Sequence, residues 1–257
     1  MNGRLLSAHD EALILVKALP HRSSNYFETV CCAGIGHDQK WRRQYPVPFR
    51  ILDPDQQFSR WTWIEYDFTK PKHDKRAESQ KVVPESIKIV GKMKREERAS
   101  FLEPLIRQST DEAAALGETL TLVRPREIEL SWRKKAAAEL RDENRKHENL
   151  VKQLSLLDKP ARPLKSCPYE FSFSWKTRSG SKHRHICDDW ETSTAFFRRR
   201  KSLGEIGALN SLKATYEEDY LTRGLSLALG THQRRPKQWL LVGVIRLDEN
   251  IQSELPF

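Results

Sequence analysis

The chain has 257 residues, of which 45 are Lys or Arg and 35 are Asp or Glu, giving a formal net charge of +10. With 38% hydrophobic and 31% charged residues, it holds enough apolar material for one large core or two small ones, and no run reaches the roughly 20 apolar residues of a membrane span. Its four cysteines do not make a secreted disulfide framework at this length, so a reduced, cytoplasmic protein is expected, and the basic balance favours phosphate-rich or anionic partners.

The opening residues hold a short apolar run with Lys17 and acidic flanks, which does not read as a signal peptide. Residues 12–19 (ALILVKAL), ended by Pro20, and 27–35 (FETVCCAGI), ended by glycines, predict buried strands. A turn at Asp53-Pro54-Asp55 precedes WTWIEYDF (61–68), whose large residues alternate with smaller or polar ones as a period-2 strand does. TKPKHDKRAESQ is a charged loop, and VVPESIKIVGKM a strand or a strand–helix passage. Residues 94–116 suggest a helical hairpin, with Ser109 or Thr110 capping DEAAAL and Gly117 stopping it. TLTLVRP and EIELSW are short strands. Residues 133–157 interleave charges of both signs around a thin apolar stripe, Leu140, Val151 and Leu154, and read as a solvated helix. Lys159-Pro160-Ala161-Arg162-Pro163 reads as a linker. Beyond it YEFSFSW (169–175) alternates, Ser179-Gly180-Ser181 turns, and KHRHICDDWE returns as the partner strand. One helix over TSTAFFRRRKSLGEIGALNSLKATYEED and a last buried strand, WLLVGVIRL, follow.

The fold class is therefore α+β: two small β-rich units, barrel-like in the OB or PUA-like manner, joined by a charged helical segment. The expected segments are 1–132, a β-rich domain with a helical hairpin; 133–165, a charged helix and linker; and 166–257, a second β-rich unit with one helix.

The stretch KWRRQYPVPFR (40–50) packs cations, rings and two prolines together. Pro46 and Pro48 forbid a regular helix, and an extended chain sets Trp41, Tyr45 and Phe49 on one side. Rings stack on bases of any sequence, while Arg42, Arg43 and Arg50 are then available to phosphates. The other reading is a strand whose rings fill a barrel core. In the loop that follows WTWIEYDF, Lys70, Lys72, His73, Lys75, Arg76 and Lys81 could clamp a backbone and Ser79 could donate to a phosphate. Asp74 and Glu78 would hold the arginine or a cation; a solvated loop of mixed charge is the alternative.

His183 to Glu191 is the third candidate. Cys187 lies about 13 Å from His183 along a regular strand, too far for one tetrahedral ion, so no metal site is assigned there, although His183 and His185 could share an ion if Asp188 or Cys167 came in. Asp188, Asp189 and Glu191 beside His185 could hold a divalent cation for phosphodiester hydrolysis, or activate water against a flipped base. Alternatively Asp189 caps the helix that follows and Trp190 enters the core. Arg198, Arg199, Arg200 and Lys201, with Arg234, Arg235 and Lys237 near the last turn, suggest a further positive surface that touches phosphates. Gly34-Ile35-Gly36 lacks the third glycine and following helix of a phosphate-cradling loop.

The blocks YPVPFR (45–50), DKRAES (74–79), DWE (189–191) and LGTHQRRPKQWLLVGV (229–244) resemble those of an uncharacterised bacterial protein group. The resemblance implies a bacterial or mobile-element setting and a role around foreign nucleic acid, and it carries no catalytic residue. Three readings follow. The first is a nucleic-acid-binding protein, with DNA favoured over RNA, acting through basic and aromatic surfaces on foreign or modified DNA. The second is a nuclease or base-removing hydrolase using the carboxylate and histidine cluster, with a divalent cation if a nuclease. The third is an interaction subunit that meets a protein partner through the 133–157 helix. No membrane role is expected.

Overall fold

A computed structural model of the chain describes residues 7–23, 27–155 and 164–249. In chain order the elements are β1 (Ala8–Lys17), β2 (His21–Ser23), β3 (Phe27–Ile35), β4 (Trp41–Val47), β5 (Thr62–Thr69), β6 (Ser79–Val82), β7 (Lys88–Lys92), α1 (Arg98–Leu102), β8 (Ile106–Arg107), α2 (Thr110–Ala115), β9 (Leu120–Val123), β10 (Glu127–Lys134), α3 (Ala137–Ser155), β11 (Tyr169–Lys176), β12 (Lys182–Ile186), α4 (Trp190–Ala214), α5 (Tyr220–Thr222), β13 (Leu225–His232) and β14 (Arg235–Arg246). The chain is α+β, as its pattern of short apolar runs and turns predicts. The linker expected over 159–163 lies outside the described residues.

Two compact units form, Met1–Met93 with Ala136–Ser166, and Lys94–Lys135 with Cys167–Phe257. Residues 94–132, placed with the first half by sequence pattern, thus pack with the C-terminal unit.

The first unit is a closed barrel. β1 pairs with β3, β3 with β4, and β5 with both β6 and β1, all antiparallel, while β4 and β6 run parallel. Numbering the ring strands in chain order gives 1-2-3-5-4-1 with the third and fifth parallel, which is OB-type connectivity. β2 and β7 extend it from β3 and β5. The sequence explains the closure. β1 carries five consecutive fully or nearly fully buried residues, Ala12 to Val16, and β5 alternates, with Ile64 and Tyr66 buried between half-exposed neighbours. At Gly34 an added Cβ would sit 2.6 Å from the Leu13 carbonyl oxygen, so the β1–β3 crossing needs a residue without one. A polar chain crosses the ring: Asp10 accepts from Arg42 Nε and from Gln80 Nε2, each at 2.6 Å, Tyr66 donates to Gln80 at 2.5 Å, and the Gln44 amide lies 3.2 Å from the Tyr66 hydroxyl. Helix α3 approaches β2 and β3. Its Asn144 accepts from the Ser166 backbone N–H at 3.2 Å, and most of its described side chains are exposed, as a solvated helix requires.

In the C-terminal unit β10, β11 and β12 form an antiparallel meander, and β9, β13 and β14 a second antiparallel set with β8 parallel to β9. The two sets meet at a parallel bridge between Cys187 and Leu241. Their shared core takes Phe171, Phe173 and Trp175 from β11, Leu227 and Leu229 from β13, and Phe196 and Leu212 from α4.

The helix expected after Trp190 is not a single rod. Gly204 has φ +69° and ψ −177°, outside helical space and in a region other residues avoid. Arg199 Nη1 donates to Ser211 Oγ at 3.1 Å and to Thr215 Oγ1 at 2.7 Å. A straight helix would hold residues 199 and 211 about 18 Å apart, so the halves fold back on each other. The helical hairpin expected over 94–116 is shorter than the pattern suggested: α1 and α2 span a turn or two each, with Ser109 capping α2 and Gly117 at φ +74°.

Candidate nucleic-acid interface

The period of two along β4 sorts the KWRRQYPVPFR residues into two sets. Arg42 and Gln44 join the polar chain with Asp10, and Arg42 also reaches Asp38 at 3.1 Å. Trp41, Arg43 and Tyr45 occupy the opposite face. Trp41 is half-buried, and Tyr45 is 44% exposed, which makes it one of the large side chains this unit offers to solvent. Phe49 leaves that face: it lies on a short 3₁₀ turn, edge-on to Phe58 at 5.1 Å, with Lys17 Nζ 4.6 Å from its ring centre. Arg50 sits half-buried on the same turn.

The 70–78 loop joins the fourth and fifth ring strands, and Asp74 organises it. Its carboxylate accepts from Arg76 N–H at 3.2 Å, Nε at 2.9 Å and Nη2 at 2.6 Å, and from Ser79 Oγ at 2.8 Å. Burial works to raise the Asp74 pKa, but the hydrogen bonds from Arg76 and Ser79 outweigh it and hold the carboxyl at about 2. Arg43 binds the Glu78 carboxylate at 3.2 Å, and its backbone N–H donates to the Glu78 carbonyl at 2.9 Å. Lys70 Nζ donates to the Ala77 carbonyl at 2.7 Å. The loop is therefore fastened to β4 and closed on itself.

This corrects several sequence-based assignments. Arg42, Arg43 and Arg76 are engaged by carboxylates, and Ser79 is buried and donates to Asp74. Arg43, Arg76 and Ser79 shape the loop, and Arg42 ties β1 to the turn before β4. Asp74 is held by Arg76 and Glu78 by Arg43, and the lowered Asp74 pKa leaves that carboxyl poorly suited as an acid or base at neutral pH. Exposed side chains remain at Lys72, Lys75 and Lys81, none with a carboxylate partner among the described residues. Lys81 stands directly opposite Tyr45 in the parallel β4–β6 pair. Sequence reading nominated ring and cation separately; their juxtaposition depends on a parallel pairing between strands 36 residues apart, which no local pattern signals.

In the C-terminal unit Asp189 is 2% exposed and caps α4, accepting from Glu191 N–H at 3.1 Å, while its other oxygen takes the buried Val244 N–H at 3.0 Å. The capping alternative, open from sequence, is what the structure shows. Asp188, Trp190 and Glu191 are half-buried. His185 accepts from Trp175 Nε1 at 3.1 Å, and His183 stacks on the same indole at 4.3 Å between ring centres. Among the described residues no group of three or more His, Cys, Asp and Glu is placed to hold a metal ion. The four cysteines form no disulfide, and burial pushes the Cys187 thiol up to about 12. Arg199 is spent inside the helical hairpin, whereas Arg198, Arg234 and Arg235 are exposed. Among the described residues no helix is long and apolar enough to cross a membrane.

Burial first, and the neighbouring His183 second, lower the His185 pKa below the ordinary 6.5. The unfolded chain therefore binds this proton more readily than the folded one, and stability falls as pH drops from about 6.5 through the lowered value. A thermal melt series from pH 7.5 to 5 shows that fall, and His185→Gln flattens it.

Residues 8–107 match a family model described as a domain of unknown function, DUF8758, and residues 99–256 match a second described as a domain of unknown function, DUF8757. The second match spans more than half of the 257 residues. The chain belongs to the DUF8757 family. Where the DUF8757 match begins, at residue 99, is close to the start of the C-terminal compact unit at Lys94 rather than to residue 132. A comparison of this DUF8757 chain with curated proteins gives no match.

Proposed function

We propose that this DUF8757-family chain binds single-stranded nucleic acid, DNA in preference to RNA, across β4 and the 70–78 loop of its barrel. The observation that carries the reading is the exposed Tyr45 ring set opposite exposed Lys81, beside a loop that is pinned in place and points Lys72 and Lys75 outward. OB barrels take oligonucleotides on their second and third ring strands and at the loop between the fourth and fifth, and β4 is the third ring strand here. A ring offers stacking to any base, and lysines track the backbone, so the binding reads little sequence. Foreign DNA, the setting implied by the bacterial blocks, belongs to the same proposal.

Fluorescence anisotropy with a labelled single strand tests it. Tyr45→Ala removes about 1–3 kcal/mol of stacking, a loss of roughly 5- to 150-fold in affinity. Lys72→Ala and Lys81→Ala each make the dependence of log K on log salt shallower by about 0.7. Unchanged affinity in Tyr45→Ala, with the fold intact by circular dichroism, refutes the site.

A further inference from the structure

We propose that the C-terminal unit carries a second, separate nucleic-acid contact: the two hairpin tips at 177–182 and 232–237 grip the backbone of duplex DNA. The inference rests on the reading of the chain as a nucleic-acid binder but not on the barrel site.

Topology supplies the first argument. β12 starts at the turn closed by the Gly180 N–H to Thr177 carbonyl bond, and β14 starts at the turn after His232. The two strands run in the same direction where they meet at Cys187 and Leu241. Each turn therefore precedes the junction on the same side, about 16 Å away along β12 and about 10 Å away along the β13–β14 ladder, where β14 bulges between Arg235 and Trp239. Segments more than 50 residues apart in sequence are thus brought to one side of a single junction.

Charge supplies the second. Arg178 and Lys182 on one tip, and Arg234, Arg235 and Lys237 on the other, are exposed and have no carboxylate partner among the described residues. Glu127, which faces this group from β10, is tied to Lys176 at 2.5 Å. That hydrogen bond lowers its pKa, with Arg126 and Lys182 adding to the effect. The local field is positive.

The chemistry of the tips names the occupant. Among their described side chains they present no exposed ring: Trp175 is buried and Trp239 half-buried. Exposed Ser179, Ser181 and Gln238 stand among the cations instead. Without a stacking platform the tips suit stacked, paired nucleic acid, contacted through its phosphates. The Thr231 N–H still donates to the Thr119 carbonyl at 2.8 Å, and beyond it β13 keeps only β14 as a partner, with His232 opposite Arg235. A tip this narrow can reach the phosphates lining the B-form major groove, about 12 Å wide, whereas the A-form major groove is too deep and narrow to admit it. That selects duplex DNA over duplex RNA.

The test measures anisotropy of the full chain with a 20-base-pair DNA duplex, the RNA duplex of the same sequence, and the single DNA strand. The proposal expects duplex DNA to bind at least tenfold more tightly than duplex RNA. Arg178→Ala/Lys182→Ala and Arg234→Ala/Arg235→Ala each weaken duplex DNA binding by tenfold or more and flatten its salt slope by about 0.9 for each phosphate no longer neutralised. Both leave single-strand binding unchanged. Equal binding of the two duplexes, or no effect from either tip pair, overturns it. The tips are exposed turns, so folding is not at issue. Loss of single-strand binding in Tyr45→Ala, with duplex binding intact, separates the barrel site from this one. A chain that binds duplex but not single strands sinks the barrel reading alone.

Discussion

Asp248→Asn lowers the stability of the C-terminal unit by about 3–5 kcal/mol. The Asp248 side chain is 1% exposed, lies 2.5 Å from Arg98 Nη1, and has its other oxygen 2.7 Å from Arg246 Nε. Burial lowers the Arg98 pKa, with the Asp248 carboxylate opposing that effect. Asparagine removes the charge but keeps the backbone: φ at this position is +60°, which asparagine tolerates better than alanine does. The carboxylate charge facing Arg98 is then lost in a site shielded from water, the costly half of breaking a buried pair. Arg98→Met costs less, because Asp248 keeps Arg246. Urea unfolding of the two variants checks the order, and a smaller loss in Asp248→Asn than in Arg98→Met contradicts the account. The pair spans 150 positions and ties the residues just after Lys94 to the end of β14. It is one physical reason that 94–135 belong to the C-terminal unit.

Asp189→Ala costs that unit about 2–4 kcal/mol, roughly 1 for the helix cap and 1–3 for the lost buried hydrogen bond from the Val244 N–H. For a unit of this size the melting temperature drops by about 5–15 °C. Asp189→Asn falls between, since an amide has one acceptor oxygen where the carboxylate has two. The same variants decide what the residue does. A structural carboxylate predicts that the loss scales with missing hydrogen bonds, while nucleic-acid affinity measured below the melting transition stays as in the wild type. A variant as stable as the wild type that loses turnover on nucleic acid would instead restore the hydrolytic reading of Asp188, Asp189 and Glu191.

Local pattern in the sequence was enough to place most strands. The unbroken run in β1, the alternation in β5 and β11, the Ser109 cap and the Ser179-Gly180-Ser181 turn are events within ten residues, governed by side-chain period and turn chemistry. The order of those elements likewise made the chain α+β, and composition marked 40–50 and 70–81 as cationic. Gly204 was visible in the sequence too, but a glycine inside a helical pattern is usually tolerated; only the long reach of Arg199 to Ser211 and Thr215 shows that the helix turns back.

Which charges are spent depends on contacts between distant segments. Arg42, Arg43 and Arg76 stand in the same sequence neighbourhoods as Lys72 and Lys81, yet the arginines meet carboxylates while the lysines do not. Asp189 looks like any acidic residue beside two histidines until β14 brings the Val244 N–H to it across 55 positions. Strands and turns could be read from local pattern, because they depend on residues a few positions apart. Ring closure, the β4–β6 pair that sets Tyr45 against Lys81, and the meeting of β12 with β14 bring distant segments together. Such pairings are chosen by the free energy of the whole packed unit, and no short window of sequence carries that sum.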